Sequence, residues 1–293
     1  MGAKLVQTRN REEDVDVIGV IGAGVMGRGV AQVIASHSYR VILVDNQLEV
    51  LDEARISIFN TLRAESLFGR GRGAASDVLS RISITDDLES VRQCSVVVEN
   101  IPEDIGKKRL LYESLNSLLA PEAVLAVNSS TFPIFELAAF MKRPELVIGT
   151  HFMNPAHSKE FVEVIPSRVT SSTTIERVMS FLAGIGKRGI VVKDAPGFVS
   201  NRVLMLTINE AIRAVEEGCA SPDDVDAIFV GCFGHSMGPL ATADLIGLDT
   251  ILLSLLSLME RLGDKKYQPA DLLLNMVREG KLGRKSEQGF FNY

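Results

Sequence analysis

Apolar residues in the first two thirds of the chain fall into short continuous runs, separated by longer segments with helical periodicity. The runs predict strands at Val17–Ile21, Val41–Val44, Val96–Glu99, Val124–Val127, Val147–His151, Glu163–Ile165 and Gly189–Val192. Helical patterns between them include Arg28–Ser36, Leu48–Phe68, Lys107–Leu119 and Thr174–Ile185. Strands that alternate with helices predict a parallel sheet covered on both faces. The strand after Asn154-Pro155 breaks this alternation and is a candidate for an antiparallel strand.

Two further patterns divide the chain. Residues 48–80 are rich in charged and helical residues around Gly69-Arg-Gly-Arg-Gly73, which predicts a helical hairpin projecting from the sheet. Beyond Asp194-Ala-Pro-Gly197 the remaining patterns are helical, at Phe198–Glu217, Pro222–Gly231, Pro239–Arg261 and Pro269–Glu279. We therefore predict a flexible leader over 1–15, a Rossmann-type, doubly wound and mostly parallel α/β domain over 16–193, and an all-helical domain over 194–293.

The first predicted strand leads into a glycine-rich turn that is typical of dinucleotide binding. Gly22 permits a tight turn, Gly24 lets the backbone approach a pyrophosphate, and Gly27 allows close packing of helix and strand. Asp45 ends the next strand about 20 residues later, where a carboxylate accepts from a ribose hydroxyl. A 2′-phosphate would be repelled there, so the pattern favours NAD over NADP. The predicted contacts to the cofactor in this turn are Gly22, Gly24, Val25, Met26 and Gly27.

Composition narrows the possible classes of protein. The 293 residues are 46% apolar and carry a net charge of −6, which argues against general nucleic-acid binding. The polar start of the chain does not resemble a secretory signal, and the apolar segment Ile246–Leu262 is interrupted by polar residues, so we predict a buried helix and no membrane span. The three cysteines are expected to be reduced, mostly buried thiols, and the four scattered histidines predict no metal site. These features favour a cytoplasmic location.

Polar residues with catalytic potential follow the later strands. Asn128-Ser-Ser130 follows one strand and His151 ends the next, at the edge of the sheet where ligands gather. Glu163 lies 12 positions beyond His151, and Asn201 opens the helical domain. An imidazole titrates near neutral pH, so His151 is the natural general base of this set.

These motifs together resemble the short-chain L-3-hydroxyacyl-CoA dehydrogenase family along nearly the whole chain. The segments that carry the resemblance are Gly22–Gly27, Val97–Glu103, Val127–Ile134, His151–Pro155, Phe161–Ile165, Asp194–Arg202, Met237–Asp249 and Gly283–Tyr293. The resemblance implies NAD-dependent oxidation of an (S)-3-hydroxyacyl thioester, such as 3-hydroxybutyryl-CoA. It implies that His151 is the base, that Glu163 orients it, and that Ser130 and Asn201 bind the substrate oxygens.

The same resemblance places further side chains near the nicotinamide half of the cofactor, namely Glu103, Lys108, Asn128 and Asn154. The chain departs from the family pattern at Asn100, where a small residue is usual, and at Glu160, where lysine is frequent. A negative charge at position 160 would repel the phosphates of coenzyme A. It therefore bears on whether the thioester is carried by coenzyme A or by a carrier protein.

The sequence therefore does not decide the substrate or its carrier. Arg63 and Arg70, in a locally basic hairpin, are candidate contacts for coenzyme A or for an acyl carrier protein. One alternative is a dehydrogenase of a carrier-linked glyceryl group in hydroxymalonyl or methoxymalonyl extender-unit biosynthesis. Others are a dehydrogenase of a free sugar acid and a non-catalytic NAD-binding structural protein. The apolar surface of the helical domain predicts a homodimer.

Overall fold

The computed structural model describes residues 16–69 and 71–293, so the predicted leader over 1–15 lies outside the described residues. The described chain divides into two compact units. The first continues to Ser129 and resumes over Ile134–Asp194, and the second comprises Ser130–Pro133 and Ala195–Tyr293. The short segment Ser130–Pro133 thus belongs with the helical unit, although it lies between two strands in sequence.

The first unit is built on one mixed sheet of eight strands in its described part. The strands are β1 (Val17–Ile21), β2 (Arg40–Val44), β3 (Ile82–Thr85), β4 (Val96–Glu99), β5 (Val124–Val127), β6 (Val147–Phe152), β7 (Phe161–Ile165) and β8 (Arg188–Val191). Their order is β3-β2-β1-β4-β5-β6-β7-β8, and all neighbours are parallel except β6 and β7. The expected Rossmann-type sheet is confirmed, and the strand after Asn154-Pro155 is antiparallel to β6.

Helices connect these strands and cover the sheet. They are α1 (Val25–Ser36), α2 (Leu48–Leu67), α3 (Ala75–Leu79), α4 (Ile105–Leu118), α5 (Ile134–Ala138) and α6 (Ser172–Gly184). Of the predicted hairpin, α2 buries one face in the core through Leu51, Ala54, Ile58 and Leu62, so it packs on the sheet along part of its length. The other arm is only the five-residue α3.

The second unit is helical, as predicted. Its helices are α7 (Ser200–Glu216), α8 (Pro222–Phe233), α9 (Pro239–Ile246), α10 (Leu248–Leu262) and α11 (Asp271–Arg278). The single helix predicted over Pro239–Arg261 is wrong, because Gly247 has φ 103° and separates α9 from α10. Buried side chains of α10, such as Ile251 and Leu255, join the core of this unit.

A membrane span requires a helix that is both long and apolar. Within residues 16–69 and 71–293, no single helix meets both requirements. The pair formed by α9 and α10 meets them only together, and it is bent by 97°.

Candidate active site

The glycine turn between β1 and α1 has the form expected of a dinucleotide cradle. Gly22 has φ 95°, and a methyl group on it would lie 2.7 Å from the carbonyl oxygen of Asn100. A methyl group on Gly27 would collide with the Gly22 carbonyl, whereas Gly24 faces open space. The first N–H groups of α1, from Val25 onward, have no partner within the helix and attract an anion. These residues therefore fit a pyrophosphate.

Asp45 lies at the end of β2 beside this turn. Its Oδ2 accepts the N–H of Ala23 at 2.8 Å, and its Oδ1 accepts the N–H of Gln47 at 3.1 Å. These bonds fix the carboxylate against the glycine turn, while each oxygen keeps a second lone pair for a ribose hydroxyl. A cavity of about 780 Å³ opens here, lined by residues that include Gly22, Gly24, Val25, Met26, Asp45 and Asn100.

His151 and Glu163 form a buried hydrogen-bonded pair on neighbouring strands. The antiparallel register of β6 and β7 places the two residues directly opposite each other. Nδ1 of His151 lies 2.8 Å from Oε2 of Glu163, and the side chains are 7% and 10% exposed. When Nδ1 donates its proton to the carboxylate, Nε2 carries the lone pair that can take a proton. The predicted pair of base and orienting acid is thus brought together.

A second buried network lies behind the end of β4. Lys108 and Glu99 are both fully buried, and the ammonium group of Lys108 donates to both carboxylate oxygens at 2.8 Å. The hydroxyl of Tyr112 donates to Glu99 at 2.7 Å. Burial raises the pKa of Glu99, although the Lys108 charge opposes this effect. The pKa of Tyr112 is raised well above its ordinary value, first by burial and then by Glu99.

This network changes how Lys108 relates to a cofactor. The lysine is sealed inside the unit, and its ammonium group also lies 3.8 Å from Oε2 of Glu103. Glu103 in turn accepts the hydroxyl of Ser129 at 2.9 Å. Sequence reasoning missed Glu99 as a partner, although a glutamate closing the apolar run Val-Val-Val-Glu is the signal that could have indicated it.

Asn128 links the ends of three strands. Its Oδ1 accepts the N–H of Phe152 at 3.0 Å, and its Nδ2 donates to Oδ1 of Asn100 at 2.7 Å. Asn154, another predicted cofactor residue, follows β6 and precedes a cis peptide bond to Pro155. The family departure at Asn100 is therefore part of the polar structure around Asn128.

Ser130 and Asn201 are brought together within the second unit. Nδ2 of Asn201, in the first turn of α7, donates to the backbone carbonyl of Ser130 at 3.2 Å. Two residues further along the same segment, the ring of Phe132 lies 5.0 Å from the guanidinium of Arg261 in α10. Both contacts attach the serine segment to the helices, which sequence reasoning did not foresee.

Of the two arginines predicted to contact the substrate, the structure describes only Arg63. Arg63 is exposed on α2, with its guanidinium 5.7 Å from the Phe59 ring. Arg70 lies outside the described residues. Their proposed contact with the substrate's carrier stays a prediction.

The three cysteines differ in burial. Cys94 is buried, but Cys219 and Cys232 are exposed, so the expectation of mostly buried thiols is wrong. The two exposed residues belong to the helical unit, one just after α7 and one on the solvent side of α8, where no packing encloses them. In the part of the chain that the structure describes, no three metal-ligating side chains cluster. The absence of a metal stays a prediction.

Comparisons with known proteins show similarity along nearly the whole described chain. Residues 17–195 match the family model of the 3-hydroxyacyl-CoA dehydrogenase NAD binding domain, and residues 197–293 match that of the C-terminal domain. A probable 3-hydroxybutyryl-CoA dehydrogenase from Deinococcus radiodurans is 44% identical, covering 94% of this chain and 99% of the relative. The 3-hydroxybutyryl-CoA dehydrogenase of Bradyrhizobium diazoefficiens is 40% identical, covering 94% of each chain.

Solved structures of related proteins are similar to this chain as well. The (S)-3-hydroxybutyryl-CoA dehydrogenase of Ralstonia eutropha matches with a TM-score of 0.89 and 33% identity, over 96% of this chain and 99% of that one. The FadB2 protein of Mycobacterium tuberculosis matches with a TM-score of 0.92 and 34% identity, over 96% and 100%. The similarity thus extends through both units.

Proposed function

The chain belongs to the 3-hydroxyacyl-CoA dehydrogenase family, and from that premise we propose that it interconverts an (S)-3-hydroxyacyl-CoA and the 3-ketoacyl-CoA. It is an NAD-dependent oxidoreductase, as its matched NAD binding domain indicates. The observation that carries the proposal is the buried His151–Glu163 pair at 2.8 Å. Such a pair supplies a base that a carboxylate keeps in one orientation.

In the proposed oxidation, Nε2 of His151 takes the proton of the 3-hydroxyl group. The electron pair of the broken O–H bond forms the second C3–O bond, and the hydrogen on C3 leaves with its own electron pair as hydride. NAD, held by the glycine turn, would supply the acceptor for this hydride. Glu163 stabilises the imidazolium that forms, because an opposite charge within hydrogen-bond distance favours the protonated ring. In the reverse direction the imidazolium returns the proton to the carbonyl oxygen.

Ser130 and Asn201 are proposed to bind the substrate oxygens. The Ser130 hydroxyl group can donate to the reacting oxygen, where negative charge develops during proton transfer. Asn201 holds the Ser130 carbonyl through one of the two N–H bonds of its amide, so the other remains for a substrate. The serine orients and polarises the substrate, and no acyl-enzyme is formed.

We assign the remaining predicted residues to the cofactor. Asp45 would accept from the adenosine ribose and disfavour a 2′-phosphate, and the glycine turn would hold the pyrophosphate. Glu103, Asn128 and Asn154 would lie near the nicotinamide half, with Lys108 acting through Glu103 at 3.8 Å. These assignments follow the order of the strand ends from β2 to β6.

The proposed substrate is a short acyl-CoA, since the relatives in Deinococcus radiodurans and Bradyrhizobium diazoefficiens are named 3-hydroxybutyryl-CoA dehydrogenases. Arg63 and Arg70 are proposed to bind the phosphates of coenzyme A. A carrier-linked substrate would instead give turnover with an acylated carrier protein and none with coenzyme A esters. Location in the cytoplasm stays a prediction.

We further propose that the helical unit forms a homodimer. Large apolar side chains stay exposed on it, among them Val203 at 59%, Phe233 at 64% and Leu253 at 67%. Apolar area of this kind is usually covered by a partner. Light scattering with size-exclusion chromatography should give twice the chain mass of 31.9 kDa, and Leu253→Glu should lower it. A monomeric wild type would refute this assignment.

Activity is tested by mixing protein, NADH and acetoacetyl-CoA and following NADH absorbance. His151→Ala should lower kcat about 10²–10⁴-fold, the range typical of a general base. NADH binding should persist and can be measured from the change in NADH fluorescence on binding. If His151→Ala retained wild-type kcat, the proposed base would be wrong. NADH binding without turnover in the wild type would favour the non-catalytic alternative.

A further inference from the structure

Three neighbouring strand ends of the first unit are joined through two asparagine side chains. Asn100 follows β4 and Asn128 follows β5, and their amides are hydrogen-bonded at 2.7 Å. Asn128 also accepts the N–H of Phe152, the last residue of β6, at 3.0 Å. We name this chain of contacts, Asn100–Asn128–Phe152, the asparagine tie. It lies at the carboxyl edge of the sheet, where ligands of such folds bind.

The first member of the tie is fixed by its surroundings. Nδ2 of Asn100 donates to the carbonyl of Val98 at 3.2 Å, and its backbone N–H donates to the carbonyl of Ile21, the last residue of β1, at 2.7 Å. Its backbone carbonyl packs directly on Gly22, where an added methyl group would lie 2.7 Å away. Asn100 is thus attached to the glycine turn.

The bonds of the tie also determine each other's direction. Since Nδ2 of Asn100 is directed to a carbonyl, its Oδ1 must face Asn128, and an oxygen there can only accept. The NH₂ group of Asn128 therefore faces Asn100, which leaves its Oδ1 facing the N–H of Phe152. Neither amide can rotate by 180° without placing two donors or two acceptors against each other.

The far end of the tie adjoins the proposed base. His151 is bonded covalently to Phe152, and its ring pairs with Glu163 across the β6–β7 register. The tie therefore connects the turn that would hold the pyrophosphate to the strand end that carries the imidazole. Reaction rates are sensitive to this geometry, and a displacement of about 1 Å can lower a rate about 100-fold.

We propose that Asn100 is a positioning residue for hydride transfer, holding the end of β6, and with it His151, relative to the cofactor cradle through Asn128. This inference rests on the proposed function. Asn100 need not touch the substrate, since its effect passes through the Asn128 amide. Removing the Asn100 side chain should therefore lower the rate of hydride transfer and leave the affinity for the cofactor intact.

Asn100→Ala removes the Asn100–Asn128 bond of the tie, and Asn116→Ala is its matched control. Asn116 in α4 is also half-buried, donates to the Phe140 carbonyl at 2.9 Å and accepts the N–H of Lys142 at 2.7 Å. Both variants should lose similar thermal stability. Only Asn100→Ala should lower kcat, by about tenfold, which corresponds to about 1.4 kcal/mol. Its primary isotope effect with NADH deuterated at the transferred position should rise, and the Kd of NADH should change less than about twofold.

Two further measurements separate the tie from a general structural effect. Hydrogen–deuterium exchange of the Phe152 amide should accelerate in Asn100→Ala and stay unchanged in Asn116→Ala, with no substrate present. In the double variant with Asn128→Ala, the Asn100 change should lower kcat no further, because coupled residues are not additive.

The proposal is overturned if the two changes are additive, if the Phe152 amide exchanges at the wild-type rate in Asn100→Ala, or if Asn116→Ala lowers kcat equally. It is also overturned if Asn100→Ala changes only the Kd of NADH, since that indicates direct contact with the cofactor. A wild-type protein inactive on acetoacetyl-CoA would refute the proposed function instead, and the exchange experiment would still report on the tie.

Discussion

Replacing Lys108 by methionine should destabilise the protein more than any exposed charge change on the same helix. The ammonium group and Glu99 are both fully buried, with both Nζ–O distances at 2.8 Å. Removing one partner of such a pair leaves an uncompensated buried charge and costs about 3–5 kcal/mol. At roughly 2–4 °C per kcal/mol for a protein of this size, the melting temperature should fall on the order of 10 °C.

The loss should depend on pH in a predictable direction. Burial raises the pKa of Glu99 from its ordinary 4.5, and Lys108 is the strongest influence that opposes it. Lys108→Met should raise this pKa further. A carboxyl group with a raised pKa in the folded state stabilises the protein below its unfolded pKa, and this contribution is lost as pH rises through the folded value. The destabilisation should therefore be smallest in mild acid and grow toward neutral pH.

Thermal melts followed by circular dichroism without cofactor, from mildly acidic to mildly alkaline pH, measure both effects. Arg109→Met is the matched control, because Arg109 pairs with Glu113 at 3.0 Å with both side chains exposed, and such pairs contribute about 0–1 kcal/mol. Replacing Glu99 by Leu, Lys108 by Met and Tyr112 by Phe together should recover much of the loss. Equal melting temperatures for Lys108→Met and Arg109→Met at neutral pH would refute the reasoning.

Three other predictions concern separate parts of the molecule. Asp45→Ser should reduce the preference for NADH over NADPH about tenfold in kcat/KM, and an unchanged ratio would remove Asp45 from cofactor selection. Arg261→Met loses the stacking on Phe132 and should raise KM for acetoacetyl-CoA several-fold while NADH affinity is retained, as expected for about 0.5–2 kcal/mol; a loss of NADH affinity would contradict this. Burial raises the pKa of Cys94 to about 12, so iodoacetamide in mildly alkaline buffer should modify only the other two cysteines of the native protein, which mass spectrometry can test.

How far the sequence determined the fold can be judged from particular strands. β4 and β5 are apolar along most of their length and fully buried, so their runs could be recognised without any structure. β3 was missed because Ile82-Ser-Ile-Thr85 is short and alternates with polar residues at the edge of the sheet. The break at Gly247 was missed because the apolar pattern continues across it, and only the backbone angle of 103° separates the helices.

For the site as well, the sequence predicts which residues take part, and the structure is needed to show how they are arranged. The residue types and their order along the chain predicted His151 and Glu163, and the register of β6 with β7 was needed to show that they are opposite each other. The pairing of Lys108 with Glu99 depends on how α4 packs behind β4, which no local pattern reports. Ser130 was recognised as a residue, but its attachment to the helical unit through Asn201 depends on tertiary structure.

The type of donor distinguishes Glu163 from two other carboxylates of the protein, Asp244 and Asp194. Asp244 accepts the N–H groups of Phe290 and Phe291 at 3.0 and 2.9 Å, and Asp194 likewise accepts backbone N–H groups. Asp244 also accepts the hydroxyl of Tyr293 at 3.2 Å. A backbone amide does not titrate, so the bonds from backbone N–H groups hold chain segments in place. Glu163 faces the imidazole of His151, a group that can take up and release a proton during a reaction. That donor chemistry, together with the position of His151 at the end of β6, is the physical ground on which we propose His151 as the base.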